Sequence, residues 1–437
     1  MSKKTILRGL LGLLVLILLG MAVYNLPPVR SRLEWRISAL RAQIKYALSP
    51  PEEVVFVPQQ QASLPSSTPR LNPTATASPS LPPATATSPP PTSTHLPPTA
   101  SPTVTAPAPT ATPRPESVFL SGVRHEYQTW NNCGPANLSM ALSFWGWQGN
   151  QEVIRAVLRP NDRDKNVMPY EMVNYVQEET EFNAIARVGG DLELVKQFIA
   201  AGMPVILEKG FEGYGVESWM GHYVTVTGYD DAKERFIVQD SFIMPDMPVS
   251  YELIESFWRA FNYTYIVVYP PEREAEVMAI LGPQADETAN YQYALQIATD
   301  EIYTLSGRDQ FFAWFNRGTN LVALQDFAGA AAAYDEAFRI YAELSEEERP
   351  WRMMWYQTGP YWAYFYTGRY YDVINLATTT LDAMSEPVLE ESYYWRALAR
   401  EALGDVSGAI ADLQTSLEYH PGFAPSVFQL ERITSSN

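Results

Sequence analysis

The stretch "STPRLNPTATASPSLPPATATSPPPTSTHLPPTASPTVTAPAPTATPRP" limits this chain more than any other feature. It consists almost wholly of Pro, Thr, Ser and Ala. Such a composition can bury no core, and its prolines favour an extended, hydrated chain. Residues 58–116 are therefore expected to be disordered, and the folded parts must lie on either side. Fully extended, about 59 residues at ~3.1 Å each reach on the order of 180 Å, so the tract reads as a stalk.

Upstream lies "MSKKTILRGLLGLLVLILLGMAVYNLPP", basic residues followed by a nearly unbroken apolar run from Gly9 to Tyr24. With Ile6 and Leu7 the run approaches the ~20 residues needed to cross a bilayer. Residues 1–28 are expected to be a retained membrane anchor. The competing reading is a cleaved signal peptide, but the run is long for one and no small-x-small site follows. Within residues 29–57, "SRLEWRISALRAQIKYAL" repeats apolar residues at three or four, as in a juxtamembrane amphipathic helix whose basic face rests on headgroups. A plain helical stem fits equally. Basic residues flank the span on both sides, so charge does not settle its orientation. The stalk favours domains held outside the cell.

Net charge is −18, yet residues 1–45 carry eight Lys/Arg against one acid. The folded remainder is strongly acidic, and nucleic acid is not an expected partner, since phosphate binding needs a basic face. Apolar residues make up 46%, enough for real cores, and the length suits two folded units.

From 117 to 283 the pattern is α+β. Helical periodicity covers Gly134–Trp147, Glu171–Glu178 and Leu192–Ala201, and strand-like runs follow in "MPVILEKG", "HYVTVTGYD", "RFIVQD" and "YTYIVVYP". Over 284–437 the strands vanish. Three segments align on the turns LQDF, YTGR and LGDV, which lie 43 and then 36 residues apart. The last segment fits the 34-residue tetratricopeptide pattern at Ala397, Gly404, Ala409, Leu413 and Pro421. The first fits at Gly318, Phe327, Ala330, Tyr334 and Ala337. The middle one is degenerate, with Pro360 awkward in its first helix. Tetratricopeptide-like helical hairpins are expected, offering a surface for a protein partner or substrate.

Cys133 is the only cysteine, so no intrachain disulfide exists. It heads "CGPANLSMALSFWGW", a helix start in which Pro135 suits the first turn. A thiol there feels the positive end of the helix dipole and ionises more readily. A buried structural cysteine is the plain alternative. Of four histidines, His95 lies in the stalk and His420 ends the last repeat. His125 sits in a charged turn and reads as a surface residue. His222 is left as the candidate base, at the mouth of the strand "GHYVTVTGYD". If "RFIVQDS" pairs with it about a turn near Asp231, positions summing to 462 oppose one another. Val224 then faces Val238, Val226 faces Phe236, and His222 faces Asp240, a carboxylate beside the imidazole. Edge histidine and strand-end capping are the alternatives for these two. Gln128, five residues before the cysteine, can donate to a developing oxyanion together with the Cys133 N–H.

The order Gln, Cys, His, Asp is papain-like. "Q-x4-C-G-P-A-N", "G-H-Y-V-T-V-T-G-Y-D" and "F-I-V-Q-D-S", over roughly Leu120 to Leu281, resemble the bacteriocin-processing, double-glycine-leader-peptidase-like cysteine peptidases. The resemblance implies Cys133 as nucleophile, His222 as general base then acid, Asp240 as orienter and Gln128 as oxyanion donor. Family members that mature bacteriocins are fused to an ABC transporter. This chain has no Walker motif, and helical repeats stand in the transporter's place.

The expected function is a membrane-tethered cysteine peptidase that hydrolyses peptide bonds, acting on a peptide or protein. A catalytically silent peptide-binding scaffold and an acyl transferase or amidase are the alternatives. No cofactor or metal is expected: no His/Cys cluster has ligand spacing, and His125 and His222 lie 97 residues apart.

Overall fold

The computed structural model describes residues 55–59, 114–161, 166–213, 216–384 and 386–435, with isolated positions in the first 44. The anchor expected over residues 1–28, the amphipathic helix over 31–48 and nearly all of the stalk lie outside these. Among the described residues no helix is long and apolar enough to cross a membrane.

The α+β part is built on one antiparallel sheet. Its strands are β1 (Ser117–Phe119), β2 (Asn183–Arg187), β3 (Val205–Gly213), β4 (Val216–Asp230), β5 (Arg235–Gln239), β6 (Met247–Ser250) and β7 (Tyr265–Tyr269). They run in the order β2-β7-β3-β4-β5-β6, with β1 on the far end of β4. Side chains alternate between two apolar layers, as the pleat requires. Ile206, Tyr223, Ile266 and Val268 pack against helices α1 (Cys133–Phe144), α2 (Gln151–Leu158) and α3 (Pro169–Glu179). Val205, Leu207, Val224, Val226 and Val267 pack on the other face, against α4 (Leu192–Ala200), α5 (Tyr251–Trp258) and α6 (Glu274–Leu281). A sheet covered on both faces needs strands that are apolar on both sides, and "PVIL" and "YIVVY" have that composition.

The hairpin of β4 and β5 corrects the expected register. Val226 opposes Val238 and Thr225 opposes Gln239, while a bulge beyond Val226 sets Tyr229 against Phe236. The pairing is shifted by two residues, so each side chain keeps its expected face. His222 also lies inside β4 rather than at its start, because β3 and β4 pair as far as Gly213 and Val216.

Eight helices follow: α7 (Glu287–Thr304), α8 (Gly307–Ala323), α9 (Phe327–Glu343), α10 (Gly359–Tyr366), α11 (Tyr370–Asp382), α12 (Glu390–Ala402), α13 (Val406–Tyr419) and α14 (Ala424–Ser435). The three turns read from the sequence join α8 to α9, α10 to α11 and α12 to α13. Each turn passes through one left-handed residue, Gln325 (φ 63), Gly368 (φ 75) and Gly404 (φ 87). Pro360 sits in the first turn of α10, where no N–H is needed.

The longer first spacing has a cause. Between α9 and α10 the chain inserts a segment that docks on the sheet domain. Arg352 donates to the Trp219 carbonyl at 2.9 Å, Gln357 donates to the Ala260 carbonyl at 2.9 Å, and Tyr356 packs on Trp219 and Phe261. The α+β part and the helices therefore share one apolar core.

Val55–Gln59 also belongs to that core. Phe56 is buried, its ring 4.9 Å from that of Phe338, and the Gln59 N–H donates to Asp372 at 2.8 Å. Residues 55–57, the end of the segment expected to hold the amphipathic helix, are not helical and form a strap packed on the helices. Both flanks of the Pro/Thr/Ser tract thus attach to one folded unit. Phe56→Ala is expected to lower stability by about 1.5–3 kcal/mol, read as a drop in the melting temperature of the full chain. An unchanged melting temperature would show that the strap contributes nothing.

Candidate active site

Cys133 is the first residue of α1, reached through the turn Thr129–Asn132, in which Asn131 is left-handed (φ 52) and Asn132 N–H donates to Thr129 O. The turn is fastened from beneath. The buried Asn132 side chain donates to Gln151 Oε1 at 2.8 Å and accepts from Arg159 at 3.1 Å. As a residue Cys133 is half-buried.

His222 comes from β4 and is 4% exposed. Its Nε2 lies 3.0 Å from Asp240 Oδ1, and its ring is close enough to the Cys133 thiol to act on its ionisation. With Nε2 on the carboxylate, Nδ1 is the nitrogen left for sulfur. The rings of Phe211 and Phe242 stand 4.9 and 6.4 Å from the imidazole and shield it from water.

Asp240 follows β5 and is fully buried. Oδ1 also accepts from the N–H groups of Phe242 and Ile243, at 2.8 and 3.0 Å. It reaches His222 diagonally across the hairpin: in the shifted register its directly opposite position is Val224, and His222 is two residues further on the same face.

The charges couple. Burial works against the charged form of His222, but Asp240 and the thiol outweigh it and push the imidazole up to about 9. Burial raises the Cys133 thiol, but the hydrogen bond to His222 and its charge outweigh that and bring it below its ordinary value. Asp240 is likewise lowered despite its burial, by His222, by Lys209 and by the Phe242 N–H. The arrangement favours a thiolate–imidazolium pair backed by a carboxylate.

Gln128 is tied to Ser241, the residue after Asp240. Its N–H donates to Ser241 O at 2.9 Å, and its Oε1 accepts from Ser241 Oγ at 2.8 Å. With Oε1 held, the amide NH2 is the end left to donate. His125 differs from expectation. It is half-buried, with Nδ1 3.2 Å from Gln239 Oε1, and takes no part in the cysteine pair.

Three buried residues were not singled out from the sequence. Asn137, one turn into α1, donates to the carbonyls of Cys133 and Tyr223 at 2.9 and 2.8 Å and to Ser241 Oγ at 3.2 Å. Its own Oδ1 accepts from Thr225 Oγ1 at 2.8 Å. One side chain thus pins the cysteine helix to β4 and to the loop that holds Gln128 and Asp240. Asn137→Ala strands several buried polar groups and is expected to cost about 2–3 kcal/mol and slow alkylation of Cys133. Both are checked on one preparation by urea unfolding and thiol kinetics. The other two are Lys209, whose charge faces Asp240, and Glu208. A signal existed: "EK" inside an apolar strand puts opposite charges on opposite faces of a doubly covered sheet.

Gly221, just before the imidazole, has a structural reason. A Cβ there would lie 2.7 Å from the Phe261 ring and 2.9 Å from that of Tyr356, so only glycine lets the inserted segment pack against β4.

Comparison with known proteins bears on this site. Residues 120–266 match a family model described as the Peptidase_C39 like family, a span that includes Cys133, His222 and Asp240 and leaves out the helices. Among solved structures the chain is similar to a C39-like peptidase from Bacillus anthracis, at 17% identity and a TM-score of 0.29, covering 35% of this chain and 96% of that one. A search of curated proteins finds no match. The matched part of the α+β domain is thus similar to a family of C39-like peptidases.

Proposed function

We propose that this protein is a cysteine peptidase in which Cys133, His222 and Asp240 act as a triad. The observation that supports this best is His222 itself, buried, 3.0 Å from a carboxylate and close enough to the only thiol to lower it. The Cys133 thiolate attacks the scissile carbonyl carbon. The oxyanion that forms is met by the Cys133 N–H, a first-turn donor with no helical partner, and by the Gln128 amide. As the tetrahedral intermediate collapses, the imidazolium gives its proton to the leaving amine and a thioester remains on Cys133. Water, deprotonated by the now neutral His222, attacks the thioester. The acid leaves, and the proton returns to the Cys–His pair. Asp240 holds the ring orientation throughout and does not itself need to be protonated.

In the same reading, residues 1–28 anchor the protein in the membrane with the folded part outside the cell. The helical region, tetratricopeptide-like in pattern, holds the substrate or a partner protein. A double-glycine leader as substrate is carried only by the resemblance of the motifs.

The test is hydrolysis of a defined peptide library by the full chain at neutral pH, with new N-termini read by mass spectrometry. The wild type is expected to give products and Cys133→Ala to give none above background. Products that persist in Cys133→Ala, or none from the wild type, would sink the reading.

A further inference from the structure

A cleft of about 810 Å3 lies between the sheet domain and the helical region. That volume is in the range of ligand sites. One wall comes from α3 and the edge strand β2, the other from α8, the inserted segment and the start of α10. Cys133 and His222 do not line it, but Glu208 does. This residue is 5% exposed and close enough to Cys133 for a carboxylate there to oppose the thiolate.

The surroundings of Glu208 show what it lacks. Its polar neighbour is the Tyr223 hydroxyl, which also donates to the Val167 carbonyl, 2.9 Å away. Burial outweighs that neighbour and pushes the carboxyl up to about 8. Among the described lining residues the cation is Arg187, and its guanidinium is already held by the carbonyls of Gln284, Ala186 and Ala285. Glu274 and Glu287 add negative charge, and the aromatic faces of Tyr170, Tyr356 and Trp362 line the walls. Buried carboxyl, acidic rim and aromatic walls suit a cation on a flexible apolar stem.

We propose that this cleft binds a basic peptide segment of the substrate, with Glu208, at the end nearest Cys133, taking a lysine or arginine side chain. The inference rests on the peptidase reading for the direction of the peptide, not for its binding. Glu208 is then a specificity residue, and the helical region forms half of the substrate site.

The test uses the full chain as Cys133→Ala, so that nothing is turned over. The probes are fluorescein-labelled Gly/Ser/Ala decapeptides carrying one lysine stepped through each position, and the same set carrying norleucine. At one or more positions lysine is expected to bind about tenfold tighter than norleucine or better. Adding Glu208→Gln should remove that preference. Adding Trp362→Ala, which alters a side chain 40% exposed and so spares the core, should weaken every peptide. No binding, no preference for lysine, or a preference that survives Glu208→Gln would overturn the proposal. Hydrolysis by the wild type without a lysine preference defeats this inference alone. A lysine preference without hydrolysis defeats the peptidase reading alone.

Discussion

Iodoacetamide is expected to alkylate Cys133 readily at pH 6 in the wild type and at least about 100-fold more slowly in His222→Ala. The reagent reads the thiolate, and an ordinary thiol holds only on the order of a thousandth of its population as thiolate at that pH. In the wild type, His222 stays charged up to about 9 and lowers the neighbouring thiol through a hydrogen bond and its charge. Removing it leaves burial, which raises the thiol, opposed only by backbone hydrogen bonds from Tyr223 and Gly134. The rate of the variant should then climb about tenfold per pH unit, whereas the wild type should show a plateau at low pH. Parallel profiles for the two proteins would mean that the imidazole does not control the sulfur.

Asp240→Ala is expected to have the next largest effect, because it damages both stability and chemistry. Oδ1 takes three hydrogen bonds, from His222, Phe242 and Ile243, and Lys209 is a second buried cation that faces the carboxylate. Deleting the anion leaves these groups buried without it, at a cost of about 3–5 kcal/mol. Peptide hydrolysis should fall by about 10^2–10^4, since the ring loses its orienter. The pH dependence of stability should change with it. Asp240 is lowered in the fold, so its contribution is present above the ordinary carboxylate range and is lost as pH falls through its own lowered value. His222 is raised to about 9, so its contribution is full below 6.5 and is lost as pH rises through about 9. Unfolding by urea from pH 3 to 10 should show this window in the wild type and a flatter curve in Asp240→Ala. Asp240→Asn, close in shape, separates the charge from the packing.

The pairing of His222 with Asp240 was legible in the sequence even though the expected register was not the observed one. Strand period is two, and on the His222 side of the bulge the pairing differs from the expected one by two, so an opposed pair became a diagonal pair on the same face. The cysteine at the head of a helix was legible because Gly134, Pro135 and the apolar run behind them are local signals. The turns of the helical hairpins were legible for the same reason. What stayed hidden depends on contacts between distant segments. Asn137 looks like one more helix residue until Tyr223, Thr225 and Ser241 come up beside it. Phe56 lies between two segments whose compositions drew attention away, and its partners Phe338 and Tyr364 are roughly 300 residues distant. The segment between α9 and α10 carried no helical-repeat pattern, because its aromatic residues serve the neighbouring domain.

The most direct measurement is the site of covalent capture by a peptidyl acyloxymethyl ketone, read by tryptic mass spectrometry on the full chain. If Cys133 is a nucleophile paired with His222, the adduct forms one to one on the peptide that contains Cys133, and its formation drops sharply in His222→Ala. Capture at another side chain, or an untouched Cys133 in a folded wild-type protein, would contradict that pairing as a source of chemistry.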